Sequence, residues 1–404
     1  MSSLQKQLQR SKLSGMPPAP QLSSLTIPES EDEESSIDNV PGSPLTDDSS
    51  SASSTGTIRP FFRPRQPRRK PPTTPTPWQT HFTTSLYLSH NGNSHHIYLT
   101  PPHGSGPLFI CHHGAGSSGL SFALLATHLR QSLPSAGILA LDARAHGLTQ
   151  TTNDSDLSLP TLTSDLLTVI SLTLTHLGRL PNIVLVGHSL GGAVVVDAAS
   201  NWKSWQTVGI KAELLGYAVL DVVEGTAMSA LTSMSKYLEG RPGGFDTEER
   251  AIEWHTTSSG PIRNLESARI SVPALLKPAD GAAQSSTASP SSAKLVWRTD
   301  LGATRDFWEG WFTGLSKKFL RNREAGKLLI LTGAETLDKE LLIAQMQGQF
   351  QLLVVPETGH FVMEDAPERC ASALVEFYKR YDKSQLVLPP KIGEMVNGKP
   401  YMGM

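Results

Sequence analysis

The segment Val186-Gly-His-Ser-Leu-Gly-Gly192 lies directly between a run that reads as a β-strand, Asn182-Ile-Val-Leu-Val186, and one that reads as a helix, Ala193-Val-Val-Val-Asp-Ala-Ala199. A strand, a tight turn and a helix in so short a space leave the chain few options. The glycines of this G-x-S-x-G pattern, Gly187 and Gly191, let the strand and the helix close on one another where side chains would clash. The turn lifts the Ser189 hydroxyl out of the sheet and sets it at a helix N-terminus, where negative charge is favoured.

The neighbouring sequence supplies the sheet. Pro107-Leu-Phe-Ile-Cys111, Ala136-Gly-Ile-Leu-Ala-Leu-Asp142 and Leu214-Leu-Gly-Tyr-Ala-Val-Leu220 are short apolar runs without strict alternation, with helix-like stretches such as Leu162 to Leu177 between them. Continuous apolar strands separated by helices predict a mostly parallel central sheet covered by helices on both faces, an α/β fold. His81 to Leu99 predicts a hairpin turning at Asn91-Gly92. The alternation breaks after Asp221 and resumes at Lys327-Leu-Leu-Ile-Leu-Thr332 and Phe350-Gln-Leu-Leu-Val-Val355, with a closing helix from Pro367 to Tyr381. The intervening segment, about 225–325, is therefore expected to be a helical lid inserted after the sixth strand. Its Ser- and Ala-rich stretch, about 278–292, reads as a surface loop.

Outside 78–383 the composition changes. Between Lys12 and Arg59 there is no Lys or Arg, while Glu29, Glu31, Asp32, Glu33, Glu34, Asp38, Asp47 and Asp48 accumulate among serines and prolines. Such a segment cannot bury enough apolar surface to offset its ordering entropy, and residues 1–77 read as a disordered acidic, then basic, Pro-rich tail. The basic part, Arg59 to Lys70, carries six positive charges in twelve residues. It reads as a solvated tail or as a nuclear-import or docking patch. Residues 384–404 form a second tail, rich in Pro and Gly.

Composition excludes several classes. With 35 basic and 37 acidic residues, net charge −2, no global field draws the protein to nucleic acid. No apolar run is long enough for a bilayer helix, and the polar start carries no secretory leader pattern. Two cysteines, Cys111 and Cys370, exclude a disulfide-built fold and fit a reducing compartment, the cytoplasm or nucleus. Neither a Walker nor a dinucleotide pattern is present, and His112, His113 and His146 lack metal-ligand spacing, so no cofactor and no metal is expected.

A serine nucleophile needs a base. His360, in Val354-Val-Pro-Glu-Thr-Gly-His-Phe361, follows the last predicted strand, where a chain order of Ser, acid, His delivers it. Two places compete for the acid: the loop Leu331-Thr-Gly-Ala-Glu335-Thr-Leu-Asp338 after the penultimate strand, and Asp221 at the end of the sixth. Asp338 could equally cap a helix, and Asp221 could hold the lid hinge. The oxyanion hole is expected from His113-Gly114-Ala115-Gly116, with the backbone N–H groups of Ala115 and Leu190 as donors. Asp142-Ala-Arg144-Ala-His146-Gly147, at a strand end, reads as a structural turn near the site.

Several segments outside the shared serine motif carry a more specific signal: Asp221-Val-Val-Glu-Gly-Thr-Ala-Met228, Gly240-Arg-Pro242, Ile262-Arg-Asn-Leu-Glu-Ser-Ala-Arg269, Gly310-Trp-Phe-Thr-Gly-Leu-Ser316, Leu337-Asp-Lys339 and Gln345-Met-Gln-Gly-Gln-Phe350. In these the chain resembles the protein phosphatase methylesterase 1 family, serine esterases of the α/β-hydrolase fold, over roughly Trp78 to Tyr381. The resemblance implies hydrolysis of the methyl ester on the C-terminal leucine of the protein phosphatase 2A catalytic subunit. It also implies Asp221 as the acid, with Ser189 and His360. The chain departs from that family at Ala115, where three consecutive glycines are common. A small-ester esterase with the same triad and a non-catalytic phosphatase-binding module are the competing readings. An epoxide hydrolase or dehalogenase is disfavoured, because those carry an aspartate where Ser189 stands.

Overall fold

The computed structural model describes residues 72–207, 209–279, 294–333 and 337–383, together with the backbone of Met395–Val396 and Lys399–Pro400, which pair antiparallel. The acidic and basic segments before residue 72, most of the Ser-rich loop, Glu335 and the rest of the C-terminal tail lie outside the described residues.

The chain enters through a hairpin of β1 (Thr84–His90) and β2 (Asn93–Thr100). Asn91 and Gly92 turn it with φ of 49° and 80°, both left-handed, as a two-residue hairpin with the right twist requires. There follow β3 (Leu108–His112), α1 (Ala123–Ser132), β4 (Gly137–Leu141), α2 (Leu159–Leu177), β5 (Ile183–His188), α3 (Leu190–Ser200) and β6 (Leu214–Leu220).

The chain then leaves the sheet. The segment up to residue 325 holds α4 (Glu224–Glu239), β7 (Gly244–Phe245), α5 (Glu248–His255), α6 (Leu265–Ser271), β8 (Leu276–Pro278), β9 (Leu295–Trp297), α7 (Trp308–Phe312) and α8 (Leu315–Arg321). The insertion is mostly helical, and to its helices it adds β7, β9 and β8, which pair in that order as a small antiparallel sheet that the sequence reading did not include. That sheet and α5 and α6 enclose a core of their own, including Phe245, Ile252, Ile262 and Val272. The chain returns through β10 (Gly326–Leu331), α9 (Lys339–Met346), β11 (Gln351–Val354) and α10 (Pro367–Tyr381).

The main sheet runs β1-β2-β4-β3-β5-β6-β10-β11, antiparallel at the first two pairings and parallel thereafter. Its burial explains why the strands read as unbroken apolar runs. In β3, Leu108 and Ile110 join a core with α2, α3, α7 and α8, while Phe109 and Cys111 join the opposite core with α1 and α10. Leu139 and Leu141 of β4 divide from Ile138 and Ala140 in the same way. Successive side chains point to opposite faces, and both faces are dry, so polar alternation has no place. Each large apolar side chain fully buried here contributes about 1.5–3 kcal/mol. Cys111 and Cys370 are buried free thiols, with burial pushing Cys370 up to about 12. No helix of the described residues is long and apolar enough to cross a membrane.

Candidate active site

The C-terminal ends of β5 and β6 carry two strained residues side by side. Ser189 has φ 52° and Asp221 φ 50°, a left-handed conformation disfavoured for side-chain-bearing residues. The Ser189 N–H donates to Leu220 O at 3.1 Å and its carbonyl accepts from Gly192 N–H at 2.8 Å, so the turn is held from both sides. Packing at this elbow leaves no room for a side chain at Gly191, where a Cβ would lie 2.1 Å from the His112 carbonyl oxygen. The Gly114-Ala-Gly116 loop also packs close: a Cβ on Gly114 would lie 3.0 Å from Ser189 Cβ.

Asp221 accepts three hydrogen bonds. The N–H and hydroxyl of Thr332, at the end of β10, both donate to Oδ1 at 3.1 Å, and His360 Nδ1 lies 2.8 Å from Oδ2. Burial opposes ionisation of this carboxyl. The bonds and charge from His360 and Thr332 outweigh it and hold the group below the usual carboxylate range. Asp338 lies elsewhere: it caps α9, accepting Leu341 N–H at 3.0 Å, and takes a hydrogen bond from Ser316. Ser189 Oγ makes no hydrogen bond to His360, although the two line the same cavities.

Ala115 keeps an ordinary φ, and the left-handed geometry falls on Gly116 at 73°. No backbone hydrogen bond among the described residues engages the N–H of Ala115 or Leu190. The Gly116 N–H donates to His146 Nε2 at 2.8 Å, and His146 Nδ1 lies 2.7 Å from the Arg144 carbonyl, a pairing that assigns the Nδ1–H tautomer. Burial lowers the His146 pKa and favours that neutral ring. The Asp142 turn thus supports the Gly114-Ala-Gly116 loop, and Asp142 Oδ1 also accepts Gly119 N–H at 2.8 Å.

The residue between glycine and serine in the motif has a further job that its sequence position did not reveal. His188 is buried, and its Nε2 donates to the His360 carbonyl at 2.8 Å, across 172 residues. Burial, helped by the nearby His360, pulls the ring down to about 3, so it stays neutral. Thr332 and Glu364 were likewise not singled out by sequence.

Two cavities meet at the serine. One of about 370 Å³ is lined by Asp221, Leu231, Phe312 and Leu331. The other, about 270 Å³, is lined by Ala115, Gly116, Ile262 and Glu364. Ser189, Met234, Tyr237 and His360 line both. Residues of the inserted segment line both, and the segment is tied to the histidine loop: Arg263 N–H donates to Asp365 Oδ1 at 2.7 Å, while Gly359 N–H donates to Asp365 Oδ2 at 2.6 Å. Among the described residues, no group of three His, Cys, Asp or Glu side chains is placed to hold a metal.

Glu364 is 1% exposed, with Ser267 Oγ donating to Oε1 at 3.2 Å. Burial above all, reinforced by the Asp365 charge, pushes its carboxyl from 4.5 up to about 8. The native state therefore keeps a proton that the unfolded chain gives up between those values, and stability falls as pH rises through that window. Glu364→Gln is expected to flatten this slope, gaining on the natural protein by a few kcal/mol, to order of magnitude, at the alkaline end. Urea unfolding of both proteins at the two ends of the window checks it; parallel pH curves would refute it.

The arrangement fits acyl transfer through a serine, and the comparisons agree with a hydrolase. Residues 109–373 match the family model described as "Alpha/beta hydrolase family". The chain is 47% identical to "Protein phosphatase methylesterase 1" of Neurospora crassa, over 98% of this chain and 99% of that protein. It is 49% identical to the protein of the same name from Aspergillus fumigatus, over 98% and 93%. Among solved structures it is similar in fold to E-2-(acetamidomethylene)succinate hydrolase, with TM-score 0.56 and 21% identity over 73% of this chain and 99% of that one.

Proposed function

The chain belongs to the protein phosphatase methylesterase 1 family within the α/β hydrolases and is an esterase; from that premise we propose that it demethylates the C-terminal leucine methyl ester of the protein phosphatase 2A catalytic subunit, in the cytoplasm, the nucleus or both. Ser189, His360 and Asp221 form the triad in this reading. The observation that carries it is the 2.8 Å contact of His360 Nδ1 with Asp221 Oδ2 at the edge of the cavity that Ser189 lines.

His360 takes the Ser189 proton as Oγ attacks the ester carbonyl, which requires the two groups to close to about 2.6–3.2 Å once substrate is engaged. Asp221 holds the imidazole with Nδ1 protonated and stabilises its charged form. The N–H groups of Ala115 and Leu190 receive the oxyanion of the tetrahedral intermediate. His360 returns its proton to the departing methanol. Water, deprotonated by the same ring, then attacks the acyl-enzyme and releases the free carboxylate and Ser189.

Methanol release from carboxymethylated phosphatase 2A catalytic subunit tests the reading, with a simple chromogenic ester as comparison. Release from the folded subunit is expected. Cleavage of the simple ester alone would leave a general esterase, a role that the apolar lining by Leu231, Met234 and Phe312 would also suit.

A further inference from the structure

Beside the catalytic cavities lies an open groove of about 600 Å³. It shares Arg241 and Leu301 with the cavity that holds Ala115 and Ser189, so the two adjoin at these side chains. Its walls carry four cations, Arg241, Lys277, Arg298 and Arg305, against two carboxylates, Glu239 and Asp300. Asp300 is engaged locally, its Oδ1 accepting the N–H groups of Gly302 at 2.8 Å and Ala303 at 3.3 Å.

None of the four cations takes part in an ion pair among the described residues. Elsewhere Arg144 meets Asp165 at 2.8 Å and Lys318 meets Asp197 at 2.6 Å. Arg241 instead stacks with its Cζ 3.5 Å from the ring centroid of Trp297, whose Nε1–H is tied to the Pro242 carbonyl at 2.7 Å. The Nε atoms of Arg241 and Arg298 are buried without a hydrogen-bond partner. Removing guanidinium nitrogen from water without an acceptor costs free energy, and a carboxylate in the groove would offset part of that cost through its attraction to the guanidinium charge.

We propose that this groove binds acidic side chains of the substrate's own polypeptide, in the residues just before the ester-bearing C-terminal residue, and so selects acidic tails. The proposal rests on the methylesterase reading. A tail whose terminal carbonyl sits at Ser189 can leave the cavity past Arg241 and Leu301, and an extended chain advances about 3.4 Å per residue, so its next residues run along the cationic walls. Charge complementarity favours this exit over the apolar cavity beside Leu231 and Phe312.

The test is fluorescence anisotropy on the full-length Ser189→Ala protein, which reads binding without turnover. Two labelled peptides end in leucine methyl ester, one with Asp and Glu in the preceding residues and the other with Asn and Gln at the same places. The acidic peptide is expected to bind about tenfold more tightly at low salt, a difference of about 1.4 kcal/mol. Rising salt should erode the advantage. The double variant Lys277→Glu, Arg305→Glu in the same background should abolish it and favour a Lys-bearing peptide instead. Equal binding of the acidic and neutral peptides, or an acidic preference that survives charge reversal, overturns the proposal. Should the double variant fail to fold, the peptide comparison on the unreversed protein decides alone. Absence of methanol release from the natural protein would overturn the reaction, and would do so whichever way the binding preference falls.

Discussion

Ser189→Ala is expected to lower kcat for methyl-ester hydrolysis by about 10⁶-fold while leaving the protein folded and substrate binding intact. Losing the hydroxyl removes the group to be acylated, and no nearby side chain can replace it on the same elbow. The fold should not notice. Ser189 sits at φ 52°, and alanine meets the same left-handed strain, because each side chain begins with one Cβ. The backbone hydrogen bonds to Leu220 and Gly192 involve only main-chain atoms of Ser189 and persist. A residual rate above the uncatalysed reaction is still expected, since the proposed oxyanion donors are main-chain groups of Ala115 and Leu190. Single-turnover methanol release, a melting curve and labelling by a fluorophosphonate probe check the three parts separately. A variant that kept more than about a thousandth of the activity would remove Ser189 from the nucleophile's role.

How far the sequence could be read depends on how local each feature is. The strands of the main sheet were legible because burial on both faces writes itself into consecutive residues, as in Leu108–His112 and Leu214–Leu220. Asn91-Gly92 was legible because two left-handed residues admit few other pairs. The sheet of the insertion was not. Its strands are two or three residues long, too short for any period, and the pairing of Phe245 with Leu295 joins distant parts of the chain.

The same distinction runs through the site. Ser189 announces itself within one turn, and His360 by following the final strand. The supports do not. Thr332 bonds Asp221 across 111 residues and His188 bonds His360 across 172, contacts that only the crossover connections bring together. Glu364, in Val362-Met-Glu-Asp365, has the local pattern of an ordinary acidic first turn, and its burial comes from α6 packing above it through Ser267. Asp221 and Asp338 stayed level in sequence because each is associated with the end of a neighbouring strand. The fold brings Asp221 to the imidazole and leaves Asp338 capping α9.

That choice gives the second large effect. Asp221→Asn is expected to cut kcat by about 10⁴-fold with little change in stability. The amide replaces one oxygen by a donor, and the surroundings decide which way it turns. Thr332 presents a fixed N–H, together with its hydroxyl, to the Oδ1 side. The amide oxygen must face these donors, which leaves the NH₂ against His360. The imidazole can then meet it only as an acceptor at Nδ1, so its proton moves to Nε2, the atom that should receive the serine's proton. A base with that nitrogen occupied cannot begin the reaction. Asp338 offers the contrast. It caps α9 through Leu341, so Asp338→Asn should be near neutral, and Asp338→Ala should cost about 1 kcal/mol of stability while kcat is kept. Steady-state kinetics and urea unfolding on the three variants separate the two carboxylates. Activity lost at Asp338 but kept at Asp221 would transfer the acid's role to α9, and would demand a movement of His360 away from the partner it holds at 2.8 Å.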